Sequence, residues 1–371
     1  MPYTRIRVSR TRPPLILHTE ASRGLGGQEI RILTESRWLL DHGWRPLVAC
    51  QPGSPLLAEA TAAAIPAVGV AMRGALDPRA LLALRRLVRD RDVSLVHTHS
   101  SVDSWLATLA ARWAGRPVVR SRHVSIPIGR RRGVIYRLAD RVITSGEAIQ
   151  AIVVGAGVDP ARVVSVPAGV DTARFHAGVS GKTVRDELGI AGPLVGLVAN
   201  IRGSKGHRYF LDAARLVLQR RPEARFLVVG DGVAFDDVRA RVRALGLESA
   251  VVLTGFRRDV PEVMAALDVL VLPSIKSEAT SQVIPQALAV GTPVVATAVG
   301  GIPEIVRDGV TGRLAAPADG PALAAAILDV LADPEAARAM ARAGQALVRE
   351  RLTVDAMMER TTAVYRELLA G

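Results

Sequence analysis

Cysteine is nearly missing from this chain, with Cys50 alone among 371 residues. One thiol can form neither an intramolecular disulfide framework nor the thiolate cluster of a structural zinc site, and a reducing setting fits it. Aromatic residues are scarce as well, at 4% of the total. A single-stranded nucleic-acid binder interleaves such rings with its basic residues as stacking platforms, so nucleic acid is not expected as a partner. Long hydrophobic runs are also lacking. The opening residues MPYTRIRVSRTRPP are basic but carry no apolar segment of the secretion-signal kind, and no later run approaches the roughly 18 apolar residues that cross a bilayer. The expectation is a cytoplasmic protein, free or peripheral on the inner face of the cell membrane. Clustered metal ligands are the last absence. Asp90-Arg-Asp92 is an Asp-x-Asp pattern that closes a helix and reads as a solvated turn, and no other grouping of Asp, His or Cys stands out. Neither a metal nor another cofactor is expected.

Apolar substance and positive charge are what the chain has. Hydrophobic residues make up 49% of a length beyond the size at which one core keeps growing, which predicts two domains. The formal net charge is +13. Arg112, Arg116, Arg120, Arg122, Arg130, Arg131, Arg132, Arg137 and Arg141 crowd a stretch with few acidic sequence neighbours. Two readings stay open: a solvated surface, or a face for an anionic membrane surface, which attracts about 1 kcal/mol per nearby charge.

Short apolar strands alternate with amphipathic helical patterns, the signature of an α/β protein with parallel sheets covered on both faces. Strands are expected at Leu15–His18, Pro46–Ala49, Ser94–His97, Val118–Arg120, Val142–Thr144 and Val163–Val166. After the strandless stretch 176–192 the alternation restarts at Leu194–Ala199, Arg225–Val229, Val251–Leu253, Val269–Leu272 and Val294–Ala296. The expected fold is therefore two doubly wound, Rossmann-like domains facing a central cleft. The boundaries are a basic arm over 1–14, a first domain over 15–178, a linker over 179–192, a second domain over 193–352 and a closing helix over 353–371.

The densest signal is LPSIKSEATSQVIPQALAVGTPVVATAVGGIPE, Leu272–Glu304, where a strand end, a turn, a helix over Thr280–Val290 and another strand follow in close order. Glu278 sits where the strand hands over to the helix, and Ala279, Thr280 and Ser281 can offer N–H groups to an anion. Lys205 and Arg202 lie in a glycine-containing turn between the strand ending at Ala199 and a helix starting near His207, a good place to grip phosphate. Gly24-Leu-Gly-Gly27 offers further N–H groups before the helix Glu29–Asp41. It fails as a dinucleotide fingerprint, because the pattern is incomplete and no acidic residue ends the next strand.

These segments, with Val166-Pro-Ala-Gly-Val-Asp171, Val229-Gly-Asp-Gly232 and Leu253-Thr-Gly-Phe256, resemble glycosyltransferase family 4, the retaining sugar-nucleotide transferases of GT-B fold. The likeness covers most of the chain from about Leu15 and is looser in the first half. It implies a transferase moving a sugar from a nucleotide-diphosphate donor to a glycan or glycolipid acceptor, the lipopolysaccharide-core type among them. By resemblance Lys205 matches the lysine that contacts the donor diphosphate. The family arginine five residues earlier is here Asn200, so Arg202 is expected to supply the second positive charge. Glu278 is the first glutamate of the family pair and implies a hold on the sugar hydroxyls. The second, on the ribose, is replaced by Gln286, which loses charge assistance of about 1–2 kcal/mol. Gly26 and Gly27 are placed with the donor, and the resemblance puts His123 near the transferred sugar and acceptor; Arg122 and His99 lie at strand ends on the acceptor side, where His99 reads equally as a structural histidine. The closing helix is implied to pack back on the first domain. Rival readings are a nucleotide-sugar epimerase or hydrolase, and a non-catalytic sugar-nucleotide binder.

Overall fold

A computed structural model of the protein describes residues 12–129, 133–276 and 278–370. The basic triplet Arg130–Arg132 and most of the expected N-terminal arm lie outside the described residues.

Thirteen strands are numbered here among the described residues: β1 Leu15–Glu20, β2 Arg45–Cys50, β3 Ala67–Gly69, β4 Leu95–Thr98, β5 Val118–Arg122, β6 Arg141–Thr144, β7 Val163–Ser165, β8 Leu194–Val198, β9 Arg225–Val229, β10 Val251–Gly255, β11 Val269–Leu272, β12 Val294–Thr297 and β13 Arg313–Ala315. They form a seven-stranded sheet in the order β3-β2-β1-β4-β5-β6-β7 and a six-stranded sheet in the order β10-β9-β8-β11-β12-β13. The six-stranded sheet is parallel throughout. In the first, β1 lies parallel between β2 and β4. Each sheet reverses its strand order beside a central strand, β1 in one and β8 in the other, the kind of switch point at which doubly wound folds hold ligands.

Why the strands of the second sheet read as unbroken apolar runs is visible in its two cores. Leu194, Val198, Leu270, Leu272, Val294 and Ala296 face one core. Val195, Leu197, Val269, Val271 and Val295 face the other. Successive strand residues point to opposite faces, and both faces are covered, so the central positions of these strands are apolar on both sides. Each fully buried Val or Leu contributes about 1.5–3 kcal/mol relative to exposure. A smaller cluster in the first half joins Ile32, Val48, Leu56 and Ile65.

The chain divides into two compact units. One takes in the chain through Ser121, with Val134–Val142 and the end from Thr362; the other takes in Arg122–Gly133 and Ile143–Thr361. Residues 176–192 hold no strand but do form a helix, Lys182–Leu188. Two edge strands escaped the sequence reading, β3 and β13, each three residues long and only partly buried. The helix expected over Thr280–Val290 begins later, at Val283. Pro285 explains the delay: its ring clashes with a helical carbonyl four residues back, at Ser281, so Pro285 must sit in the first turn.

Candidate functional site

The carboxyl ends of β8 and β11 carry the second unit's polar centre. β8 stops at Val198, the chain passes Asn200 and Arg202, and a single 3-10 turn, Gly203–Lys205, leads through Gly206 into the helix His207–Leu218. Gly206 has φ +73°, and a Cβ there would lie 1.8 Å from the carbonyl oxygen of Pro273. Only glycine lets this turn press against the end of β11. Ile275 N–H donates to Ser204 O at 3.0 Å and ties the two loops together.

That juncture brings Lys205 onto Glu278. Lys205 Nζ lies 2.5 Å from Glu278 Oε1, with the side chains only 12% and 8% exposed. Ser274 Oγ donates to the same carboxylate oxygen at 2.6 Å, and Thr297 Oγ1 holds the Ser274 carbonyl at 2.5 Å. Gly300 and Gly301 close over the Glu278 backbone: Gly301 N–H donates to Glu278 O at 3.2 Å, and Gly300, at φ +58°, would put a Cβ 1.9 Å from that oxygen. The result is a preset carboxylate and ammonium at a sheet's carboxyl end, where a ligand with both anionic and hydroxyl groups can be held.

Thr280 and Ser281 are buried and Ala279 half-buried. Thr280 Oγ1 donates to the Ser145 carbonyl. Glu304 accepts the N–H groups of Glu147 and Ala148, both at 2.8 Å, at the start of the helix Glu147–Gly155. A carboxylate on two free N–H groups of a helix start is favourable by hydrogen bonding and dipole alike. Together these bonds join the segment Ser145–Ala148 to the Glu278 loop.

The remaining sequence candidates are placed as follows. Arg202 and Asn200 are exposed near the Lys205 turn, and Gln286 is half-buried on the helix Val283–Val290. Arg122 ends β5 and His123 follows it, both half-buried, and Ser145 N–H donates to Arg122 O at 3.2 Å. In the first unit, Gly26 caps the helix Gly27–Asp41, and its N–H donates to Glu29 at 2.7 Å. That N–H therefore serves the helix start. His99, expected toward the acceptor, is buried, with Nε2 3.0 Å from His18 Nδ1.

Three expectations need correcting. The arginine stretch reads as poor in acidic sequence neighbours, but the fold pairs Arg112 with Asp140 of the same stretch and Arg116 with Asp92, both at 2.9 Å, and Arg141 with Glu367. Arg120 is buried against the ring of Tyr136, 4.1 Å from its centroid. The expected absence of clustered metal-type ligands also fails, because His18, Glu35, His97 and His99 come together from three elements. Last, Gly26 does not present a free N–H. Sequence reasoning missed Ser274, Glu304 and His207. Glu304 ends the quoted GGIPE string and Ser274 follows a strand end, so position alone signalled them. His207 opens the helix beside Lys205, is buried, and neither ring nitrogen has a hydrogen-bond partner among the described residues. Burial, helped by the Lys205 charge, lowers its pKa to about 4, which keeps it neutral near pH 7.

No helix among the described residues is long and apolar enough to cross a membrane. The family Glycosyltransferase Family 4 matches residues 25–174, and the family Glycosyl transferases group 1 matches residues 192–333. A 2-deoxystreptamine N-acetyl-D-glucosaminyltransferase of Streptomyces fradiae is 31% identical over 353 residues, covering 84% of each chain. A 2-deoxystreptamine glucosyltransferase of Streptomyces kanamyceticus is 34% identical over 219 residues, 58% of this chain and 54% of the relative. With the first curated relatives, then, the match spans about half to two thirds of their length. Among solved structures, a glycosyltransferase from Rickettsia africae superposes with a TM-score of 0.88 at 20% identity, over 97% of this chain and 99% of that one. Anabaena Alr3699/HepE, solved in complex with UDP, gives 0.86 at 24% identity, over 95% and 100%. At such identities the agreement establishes a common fold.

Proposed function

Because the chain belongs to the family 4 glycosyltransferases and has their GT-B fold, we propose that it transfers a sugar from a nucleotide-diphosphate donor to a hydroxyl of a glycan or glycolipid acceptor, with retention at the anomeric carbon. The observation that carries this reading is the contact between Lys205 and Glu278 at the carboxyl ends of β8 and β11. As the anomeric bond to the diphosphate breaks, negative charge grows on the leaving oxygens. Lys205, with Arg202, opposes that charge and stabilises the transition state more than the ground state. Glu278 takes hydrogen bonds from the sugar, the N–H groups over 279–281 face the diphosphate, and Gln286 holds the ribose through one accepted and one donated bond. His123 contributes a hydrogen bond beside the acceptor. Retention follows if the departing phosphate oxygen takes the acceptor proton on the same face, with no separate protein base.

Charge neutralisation is thus assigned to side chains, and added magnesium or manganese is expected to leave the rate unchanged. UDP in the Anabaena protein supports a nucleotide diphosphate as the donor's leaving part. The acceptor panel should include 2-deoxystreptamine, named for the Streptomyces relatives, and membrane-presented glycolipids.

The test is a panel of nucleotide sugars read first by thermal stabilisation, then by product analysis with the anomeric configuration assigned by NMR. One donor should stabilise the chain, by about 2.7 kcal/mol at 100 times its dissociation constant, and yield a product with the donor's own anomeric configuration. Free sugar or an epimer formed at the same rate without acceptor would instead mark a hydrolase or epimerase.

A further inference from the structure

Four ligand-type side chains converge inside the first unit. His18 stands on β1 opposite His97 on β4, an aligned pair in the sheet register. His99 follows two residues later, where the strand alternation returns to the same face. Glu35 enters from the helix Gly27–Asp41. All four are buried, and one donor atom from each lies within 4.8 Å of the others.

The hydrogen bonding around the cluster is incomplete in a directed way. Glu35 Oε1 receives Arg31 Nε at 2.6 Å, but Glu35 Oε2 has no hydrogen-bond partner among the described residues. That oxygen lies 3.9 Å from both His18 Nδ1 and His97 Nδ1. This is too long for a hydrogen bond. A tetrahedral zinc with bonds of about 2.0–2.2 Å sets its donors roughly 3.3–3.6 Å apart, so each of these contacts has only a few tenths of an ångström to close around an ion. His18 Nδ1 and His99 Nε2 share a hydrogen bond at 3.0 Å, whose proton an ion binding both nitrogens would replace. His97 Nε2 lies 2.8 Å from Ser121 Oγ, an outer bond of the kind that orients a ligating imidazole. Tyr365 Oη, 2.6 Å from His97 Nδ1, is the neutral group that the ion would displace from that nitrogen. Arg31 offsets Glu35, and Asp103 holds the loop by accepting the backbone N–H of His99 at 2.9 Å.

We propose that His18, His97, His99 and Glu35 form a structural site for one zinc-class divalent ion, apart from the sugar-transfer machinery. Three imidazoles and one carboxylate suit zinc rather than magnesium or calcium, which take oxygen ligands. Four protein ligands and full burial leave no open position for a substrate, so the ion ties β1, β4 and the first helix together.

The test uses the full chain without a polyhistidine tag, stripped with a chelator and titrated with Zn2+, and separately with Co2+ as a spectroscopic probe. One zinc per chain by elemental analysis, a melting temperature that rises until one equivalent, and the ligand-field bands of four-coordinate cobalt are expected. His99→Gln and Glu35→Gln should each weaken binding at least about ten-fold. A folded wild-type chain that takes up no stoichiometric zinc overturns the site, as does stoichiometric binding that both variants retain. Should the variants not fold, the wild-type cobalt spectrum decides, and six-coordinate bands overturn the proposal.

Discussion

Lys205 Nζ rests 2.5 Å from Glu278 Oε1, although 72 residues separate the two in sequence and each follows a different strand of the same sheet. Ser274 supports the carboxylate from a third direction. The ammonium and carboxylate thus fix each other before any ligand arrives, and little reorganisation is left for the reaction itself. Removing one partner leaves the other nearly buried with an unmatched charge. Lys205→Ala is expected to lower stability by about 2–3 kcal/mol and, with the donor identified by the panel, to lower kcat about 10²–10³-fold. A double-mutant cycle with Glu278→Gln, read by urea unfolding and turnover, measures the coupling; additive effects would mean the pair does not act as a unit.

Backbone geometry around Glu278 is equally demanding. Gly300→Ala adds a methyl group 1.9 Å from the Glu278 carbonyl oxygen at a φ of +58°, so the loop must shift. Left-handed strain costs about 1–2 kcal/mol, and the displaced carboxylate should cost more in turnover than in stability. Gly309→Ala is the control, since it has φ +69° but nothing within 4 Å of the added Cβ. It should lose stability to a similar degree and keep its turnover. Equal turnover in the two variants would argue against the close approach.

Most of this architecture could be read before folding because the second sheet is covered on both faces. Leu270, Val271 and Leu272 must all be apolar, and a run of that kind marks its own strand. β3 and β13 could not be read so, since three-residue edge strands bury too little to impose a pattern. Lys205 and Glu278 were legible from their places after strands. His207 was not, because its burial comes from packing that no local pattern encodes. The histidine cluster was half legible. His97-Thr-His99 alternates visibly, but His18 and Glu35 join it only through the β1–β4 register and the placement of a helix.

Gln286 offers a gain-of-function test. It is half-buried on the helix Val283–Val290, and the proposed ribose contact lacks the charge of a carboxylate. Gln286→Glu should tighten nucleotide binding by about 5- to 30-fold, the equivalent of about 1–2 kcal/mol. Calorimetric titration with the nucleoside diphosphate and with the free base separates the ribose contribution. If the base alone gains as much affinity, Gln286 does not face the ribose.

Glu20 gives the fold a pH dependence of predictable sign. It ends β1 fully buried, accepts the Ser22 N–H at 2.7 Å and the Gln28 amide, and so braces the turn that holds Gly24–Gly27. Burial, reinforced by the Asp103 charge, raises its pKa from 4.5 to about 7. The folded chain therefore binds this proton more tightly than the unfolded one. Below pH 4.5 both states are protonated and the stabilisation is fully present; between 4.5 and 7 only the folded state keeps the proton, so stability falls as pH rises, by on the order of 3 kcal/mol in total. Glu20→Gln cannot ionise, accepts the Ser22 N–H at its amide oxygen, and meets Gln28 with its NH2 once the Gln28 amide turns over. Urea unfolding at pH 5 and pH 8 should show a smaller loss in the variant than in the wild type. An equal loss in both would place the titrating group elsewhere.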